Sequence, residues 1–82
     1  MVIQHILQYL IEHPDAKDTL SGILRWWLPA NPRGWEEQDV QQALDVLVAK
    51  AWVTQRQLIS SEVLYGLNPS KMQEIQDFLQ ET

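Results

Sequence analysis

The chain has 82 residues, enough for one domain and too few for a second core. It has no cysteine, which excludes a disulfide framework, a zinc knuckle and thiol chemistry. Six Lys and Arg stand against 11 Asp and Glu, so the formal charge is −5, and this balance argues against binding a polyanion through bulk electrostatics. With 45% apolar and 21% charged residues, the composition is typical of a globular domain.

Two N-terminal helices are predicted from apolar residues at helical spacing. The first covers roughly residues 2–13 and stops before Pro14, because a residue that precedes proline disfavours the helical conformation. Asp18 or Thr19 can cap the second helix, which ends at Pro29. The apolar stripes are Ile3, Ile6, Leu7, Leu10 and Ile11 in the first helix and Leu20, Ile23, Leu24, Trp27 and Leu28 in the second.

A third helix is predicted over roughly residues 35–51, after a turn at 29–34 that contains two prolines and a glycine. Gly34 can cap this helix, and the acidic residues at its start favour the positive end of the helix dipole. Its predicted buried stripe consists of Val40, Leu44, Leu47, Val48 and Ala51. The residues expected to face outward are Trp35, Gln38, Gln42, Asp45, Val46 and Ala49.

Beyond the third helix the apolar period changes from about 3.6 to about 2, which indicates strands. Residues 52–58 and 63–67 are the predicted strands of a β-hairpin, with residues 59–62 as its turn. Asn68 followed by Pro69 is a strong helix start, because Asn can cap the first turn and Pro suits the first helical position. The last helix is therefore expected over roughly residues 69–81.

The order of these elements resembles a winged helix-turn-helix domain over essentially the whole chain. Residues 40–53 carry the resemblance, with the pattern V-x-x-A-L-x-x-L-x-x-x-(small)-x-V from the third helix into the first hairpin strand. Residues 64–69, LYGLNP, also resemble the usual exit from the wing into a C-terminal helix. The resemblance implies one domain over residues 1–82 with an α+β, mainly helical fold: three helices, a β-hairpin wing and a C-terminal helix.

The sequence departs from the winged-helix pattern in three places. The turn between the second and third helices is longer than usual and carries two prolines. Ala51 stands where a glycine usually precedes the first wing strand. The third helix also lacks the usual cluster of Lys and Arg.

A winged-helix domain that binds DNA places its third helix in the major groove. Between residues 35 and 50 this chain has four carboxylates and one lysine, and a helix with that balance is repelled by phosphates. In favour of DNA, Gln38 and Gln42 could pair with adenine edges, and Arg33 and Arg56 could reach phosphates. The alternatives are a solvated helix face for the glutamines and, for Arg56, an edge charge that discourages strand pairing.

Four tryptophans in 82 residues is a high number. Trp27 lies on the apolar stripe of the second helix and is expected in the core. We expect at least one of Trp26, Trp35 and Trp52 to lie in an exposed apolar patch, because Trp is enriched at interaction hot spots. Outward Val46 and Ala49 would extend such a patch around Trp35.

The first helix offers a second candidate contact surface. Tyr9 and Val2 flank its apolar stripe and, with the last helix, could form a dimer seam. The alternative for both residues is further core packing.

No active-site pattern is found in the sequence. His5 and His13 are eight residues apart and give no metal-binding spacing, and the serines lack a nucleophile-elbow context. We therefore expect no enzyme activity, no cofactor, no metal and no small-molecule substrate. The N-terminus has no signal-peptide pattern, and no apolar run is long enough to cross a membrane, so a cytoplasmic protein is the expectation.

Two hypotheses remain. The first is a protein-interaction module that binds a partner protein or a second copy of itself through Trp26, Trp35, Val46, Trp52 or Tyr9. The second is a DNA-binding transcriptional regulator that uses the helix at residues 35–51 and the wing at residues 52–67. The fold resemblance favours the second hypothesis, and the missing basic surface favours the first.

Overall fold

The structure is a computed structural model that describes residues 2–28 and 34–81. Its elements form an α+β fold that is mainly helical, with a small antiparallel sheet. In chain order they are α1 (Val2–Glu12), β1 (Lys17–Asp18), α2 (Leu20–Gly22, continued by a π-helix at Ile23–Trp27), α3 (Glu37–Ala49), β2 (Val53–Gln57), β3 (Val63–Leu67) and α4 (Met72–Glu81, preceded by a 3-10 turn at Pro69–Lys71). The predicted hairpin and last helix are confirmed to within a few residues.

The sheet has the strand order β1-β3-β2. β2 and β3 form the predicted hairpin, in which Gln55 lies opposite Tyr65. The short strand β1 was not predicted: Lys17 pairs with Gly66 on the other side of β3. Two residues carry no recognisable strand period, so this pairing depends on where the tertiary fold places them beside β3.

One hydrophobic core joins the three N-terminal helices to the sheet and α4. The hairpin contributes to it at the end near α3 and α4, where Val53 of β2 and Tyr65 and Leu67 of β3 are buried. The core consists of Ile6, Leu7, Leu10, Ile23, Trp27, Leu28, Val40, Ala43, Leu44, Leu47, Val53, Tyr65, Leu67 and Ile75. Gln41 on α3 donates a hydrogen bond to the Tyr65 hydroxyl at 3.2 Å, which ties α3 to the central strand.

Helix α2 begins as predicted but continues in a different form. Thr19 is the N-cap, and its hydroxyl accepts a hydrogen bond from the backbone N–H of Gly22 at 3.3 Å. The helix then widens into a π-helix, in which the backbone N–H of Leu28 donates to the carbonyl of Ile23 at 3.2 Å. Trp27 is buried as expected. Single π-helical turns occur often at functional sites, and this one carries the exposed Trp26.

Helix α3 is shorter than predicted at both ends. Its N-cap is Glu36 and not Gly34, and the Asp39 carboxylate accepts a hydrogen bond from the Glu36 backbone N–H at 3.0 Å. Gly34 instead has a φ of 66°, a backbone conformation that glycine adopts without strain. Ala51 is exposed and lies beyond the helix, so its predicted place in the buried stripe was wrong. Val48 of the predicted stripe is half-buried and packs against the core. Ala43 takes a core position that the predicted stripe omitted.

The helix α3 ends in a Schellman motif. The backbone N–H of Trp52 donates to the carbonyl of Leu47 at 3.0 Å, and that of Ala51 donates to the carbonyl of Val48 at 2.9 Å. This motif requires a left-handed residue after the helix, and Ala51 supplies it with a φ of 62°. The position where the winged-helix pattern usually has glycine is thus the position where this backbone requires a positive φ.

Candidate interaction surface

The four tryptophans occupy four different environments. Trp27 belongs to the core, 6% exposed, and its ring stacks on Tyr9 with 4.9 Å between centroids. Trp52 and Trp35 are half-buried. Trp26 is 64% exposed at the surface of the π-helix. The three tryptophans predicted as contact residues, Trp26, Trp35 and Trp52, therefore all reach the protein surface, and they differ in the residues around them.

Trp52 is bound on several sides by its own chain. Its indole N–H donates to a carboxylate oxygen of Glu74 at 3.0 Å, and its ring meets the edge of Phe78 with 5.4 Å between centroids. The Lys50 ammonium lies 5.2 Å from the ring centroid, within the range of a cation–π contact. We call Lys50, Ala51, Trp52, Glu74 and Phe78 the Trp52 junction; these contacts fasten the end of α3 to α4.

The hydrogen bond from Trp52 affects the charge state of its partner. This bond is the main cause, and the nearby Lys71 ammonium the second, of a lowered pKa of the Glu74 carboxyl, whose ordinary value is 4.5. The Lys71 Nζ lies 3.5 Å from the other Glu74 carboxylate oxygen. Glu74 thus remains ionised in the neutral range and serves as an acceptor that holds the indole.

Trp35 forms the wall of an open groove between the start of α1 and the outer face of α3. The groove has a volume of about 380 Å³. Its described lining consists of Val2, Ile3, Trp35, Asp39, Gln42, Ala43 and Val46, and we call this set the Trp35 groove. Val46 is 44% exposed, which is unusual for a valine on a helix that contributes four residues to the core. The predicted proximity of Val46 and Trp35 is therefore present in the structure.

The ring of Trp35 also borders a second, smaller groove along α1. His5 packs edge-on against it with 4.7 Å between ring centroids, and both residues line that second groove together with Tyr9 and Trp27. Tyr9 is half-buried and also lies 4.5 Å from the His13 ring. Tyr9 is thus part of a concave aromatic surface that includes Trp35, and His5 packs against the same tryptophan.

Trp26 does not line either of these grooves. It lies on the π-helix with Arg25, which is also exposed. A third exposed apolar residue, Ile59, is fully exposed at the tip of the β2–β3 hairpin. The structure thus brings Trp35, Val46 and Tyr9 to one surface and leaves Trp26 and Trp52 outside it.

The residues predicted for DNA contact lie on two elements of the described chain, and the two glutamines line one shallow depression on α3. Gln38 and Gln42 are exposed on α3, and Arg56 is exposed on β2. Arg33 lies outside the described residues. Gln42 lines the Trp35 groove, so a DNA-facing helix α3 would also place that groove against the duplex.

The negative charge on α3 has partly a structural origin. Glu37 and Asp39 lie in its first turn, where carboxylates interact favourably with the helix dipole. Asp45 accepts a hydrogen bond from Gln41 at 2.9 Å, one turn earlier on the exposed surface. These carboxylates stabilise the helix locally and, at the same time, make its outer face acidic.

Metal ligands and membrane-spanning helices are two further features that residues 2–28 and 34–81 could contain. In these ranges no group of three or more His, Cys, Asp or Glu is placed to hold a metal ion. No helix within them is long and apolar enough to cross a membrane. Comparisons with protein-family models, with curated proteins and with solved structures find no match to this chain.

Proposed function

We propose that this chain is a non-enzymatic winged-helix domain that acts as a protein-interaction module through the Trp35 groove. The element order supports the winged-helix part of the proposal, because three helices precede a β-hairpin and a C-terminal helix. The positive φ at Ala51 supports it further, since the winged-helix pattern usually has glycine there.

The observation that supports the interaction function best is an exposed apolar residue on α3 that lies in an open groove. Val46, 44% exposed, shares an open groove with Trp35, Val2 and Ile3. An apolar groove on the outer face of a helix is typical of sites that receive an apolar side chain from a partner. A catalytic site would require several converging titratable groups, whereas the described lining of this groove contains Asp39 as its one titratable group.

The proposal is tested by photo-crosslinking in cells of the organism that encodes the chain. A photoreactive amino acid replaces Val46 in one version and the exposed Gln80 on α4 in a matched version. We expect a discrete protein adduct from position 46 and none of the same size from position 80. The adduct should be lost when Ile3, on the opposite wall, is changed to Gln. Equal labelling from both positions would contradict an interaction through the groove.

DNA binding is the second candidate function, and it is favoured by the exposure of Gln38, Gln42 and Arg56. Fluorescence anisotropy with a labelled mixed-sequence duplex at low salt tests it. A DNA-binding domain would show affinity that falls steeply with salt and is lost in Arg56→Glu. We expect no binding at the lowest salt, because the net charge of residues 35–50 opposes approach to phosphates.

A further inference from the structure

We infer that the occupant of the Trp35 groove is a basic protein segment: an apolar side chain enters the groove, and Lys or Arg residues beside it face the carboxylates of α3. The inference rests on the proposed function and adds the chemistry of the partner.

The groove itself selects an apolar anchor. Its walls are the side chains of Val2, Ile3, Ala43, Val46 and the ring of Trp35. An apolar side chain that packs against such walls removes apolar surface from water on both sides, which favours binding. Gln42 at the rim offers both a donor and an acceptor, which suits the backbone or a polar side chain of an approaching segment.

The charges around the groove select a cation beside that anchor. Among the described lining residues, Asp39 carries a carboxylate and none is a lysine or arginine. Asp45 is also exposed on α3, but six residues from Asp39 it lies about 120° away around the helix axis and outside the described lining, so Asp39 is the carboxylate at the groove itself. The Lys50 ammonium lies at the far end of the helix, 5.2 Å from the centroid of the Trp52 ring. A partner with Lys or Arg at the rim would therefore meet complementary charge, which favours its encounter and orientation.

The same charges disfavour the two other occupants. In a two-fold symmetric contact through this groove, both copies would bring an Asp39 carboxylate and no lysine or arginine of the described lining to the interface, and each chain has a charge of −5. A nucleic acid would bring phosphates to the same carboxylates. A basic protein segment is the occupant for which both the apolar walls and the acidic rim are favourable.

The test is an unbiased selection. The full chain is immobilised, and a phage-displayed library of random linear peptides is selected against it and, in parallel, against the Val46→Gln chain. Val46 is 44% exposed, so glutamine should be tolerated there while it blocks the groove with a polar side chain. Ala49→Gln is the matched control, since Ala49 is exposed on α3 but does not line the groove.

We expect the enriched peptides to share an apolar residue with Lys or Arg nearby and to bind the Ala49→Gln chain but not the Val46→Gln chain. For one such peptide, Asp39→Asn should weaken binding about threefold, because one partly screened charge pair is lost. Asparagine keeps an oxygen for the Glu36 N–H, so the start of α3 is preserved. Glu37→Gln, the same charge change in the same first turn but away from the groove lining, should leave the affinity unchanged.

The possible results separate the two proposals. Groove-dependent peptides that are neutral or acidic would overturn the basic-segment inference and leave the protein-interaction function standing. No peptide whose binding depends on Val46 would contradict both. A dimer of the wild-type chain in sedimentation equilibrium that dissociates in Val46→Gln would also overturn the inference, since it would identify a second copy as the occupant.

Discussion

Trp52 and Trp35 are both half-buried, but Trp52 lies at a junction between two helices and Trp35 lies beside an open apolar groove. At the Trp52 junction the indole N–H, the ring edge and a neighbouring cation all have partners within the chain. At the Trp35 groove the ring is supported by His5 on one side and borders an open apolar surface on the other. The contacts of Trp52 join two helices and therefore stabilise the fold, whereas the ring of Trp35 lies beside an apolar groove that is open to a partner.

The strongest way to break this comparison is to remove the junction tryptophan. Trp52→Ala loses the contact with Phe78, the hydrogen bond to Glu74 and a half-buried ring, and we expect unfolding free energy to fall by about 2 kcal/mol. Trp26→Ala is the matched control: its side chain is 64% exposed, so the change should stay within about 0.5 kcal/mol. Urea denaturation followed by circular dichroism measures both. Equal losses in the two variants would show that the junction has no special structural role.

A substitution that changes only the backbone conformation at the Trp52 junction should have a smaller effect on the unfolding free energy, and of opposite sign. Ala51 has a φ of 62°, so Ala51→Gly should raise the unfolding free energy by about 1 kcal/mol by relieving the left-handed strain. Two residues earlier, Ala49→Gly in the helix should lower it by about 1 kcal/mol, because glycine is a poor helix former. Thermal unfolding of the pair measures the sign. A destabilised Ala51→Gly chain would mean that this alanine is not in the left-handed conformation.

A substitution in the Trp35 groove should weaken partner binding while it leaves the unfolding free energy almost unchanged. Val46→Gln is expected to change the unfolding free energy by less than about 0.5 kcal/mol, because the side chain is already partly in water and glutamine suits a helix. Urea denaturation of this variant checks the value. A loss comparable to that of Trp52→Ala would place Val46 in the core and remove the distinction between the two regions.

The smallest expected effect is electrostatic. The pKa of Glu74 in the folded chain lies below its ordinary value of 4.5, mainly because the Trp52 indole donates to the carboxylate. Since folding lowers this pKa, the contribution to stability is present above pH of about 4.5 and is lost as the pH falls through the folded value. In Trp52→Phe the pKa should rise towards 4.5 while the contact with Lys71 remains.

NMR titration of the Glu74 side chain measures this shift directly. An unchanged Glu74 pKa in Trp52→Phe would assign the shift to Lys71 instead of the indole.

Local signals predicted most of the elements. Pro14 ended α1, Thr19 capped α2, and the Asn68-Pro69 pair began the last helical segment, because each of these acts through its own backbone or nearest neighbours. The predictions failed for features that depend on contacts between residues distant in sequence. The pairing of Lys17 with Gly66 requires β3 to lie beside β1, and no residue near Lys17 signals that.

The candidate site was predicted in part. The 3.6-residue period correctly placed Val46 and Gln42 on the outer face of α3, and the sequence position of Trp35 put it beside them. The sequence could not assign Val2 and Ile3 to the opposite wall of the groove. The helical period of α1 shows which residues share a face, but not whether that face packs against the core or borders a groove. The distinction between Trp35 and Trp52 likewise required the positions of His5, Glu74 and Phe78.

The sequence by itself determined the helices to within a few residues, the hairpin and the acidity of α3, since these depend on neighbours within a few residues. Only the tertiary structure decided which tryptophan is held by the fold and which borders the Trp35 groove. That choice depends on contacts such as the one between Trp52 and Glu74, 22 residues apart along the chain. A side chain's exposure is a property of the packed molecule, because elements distant in sequence either cover it or leave it open.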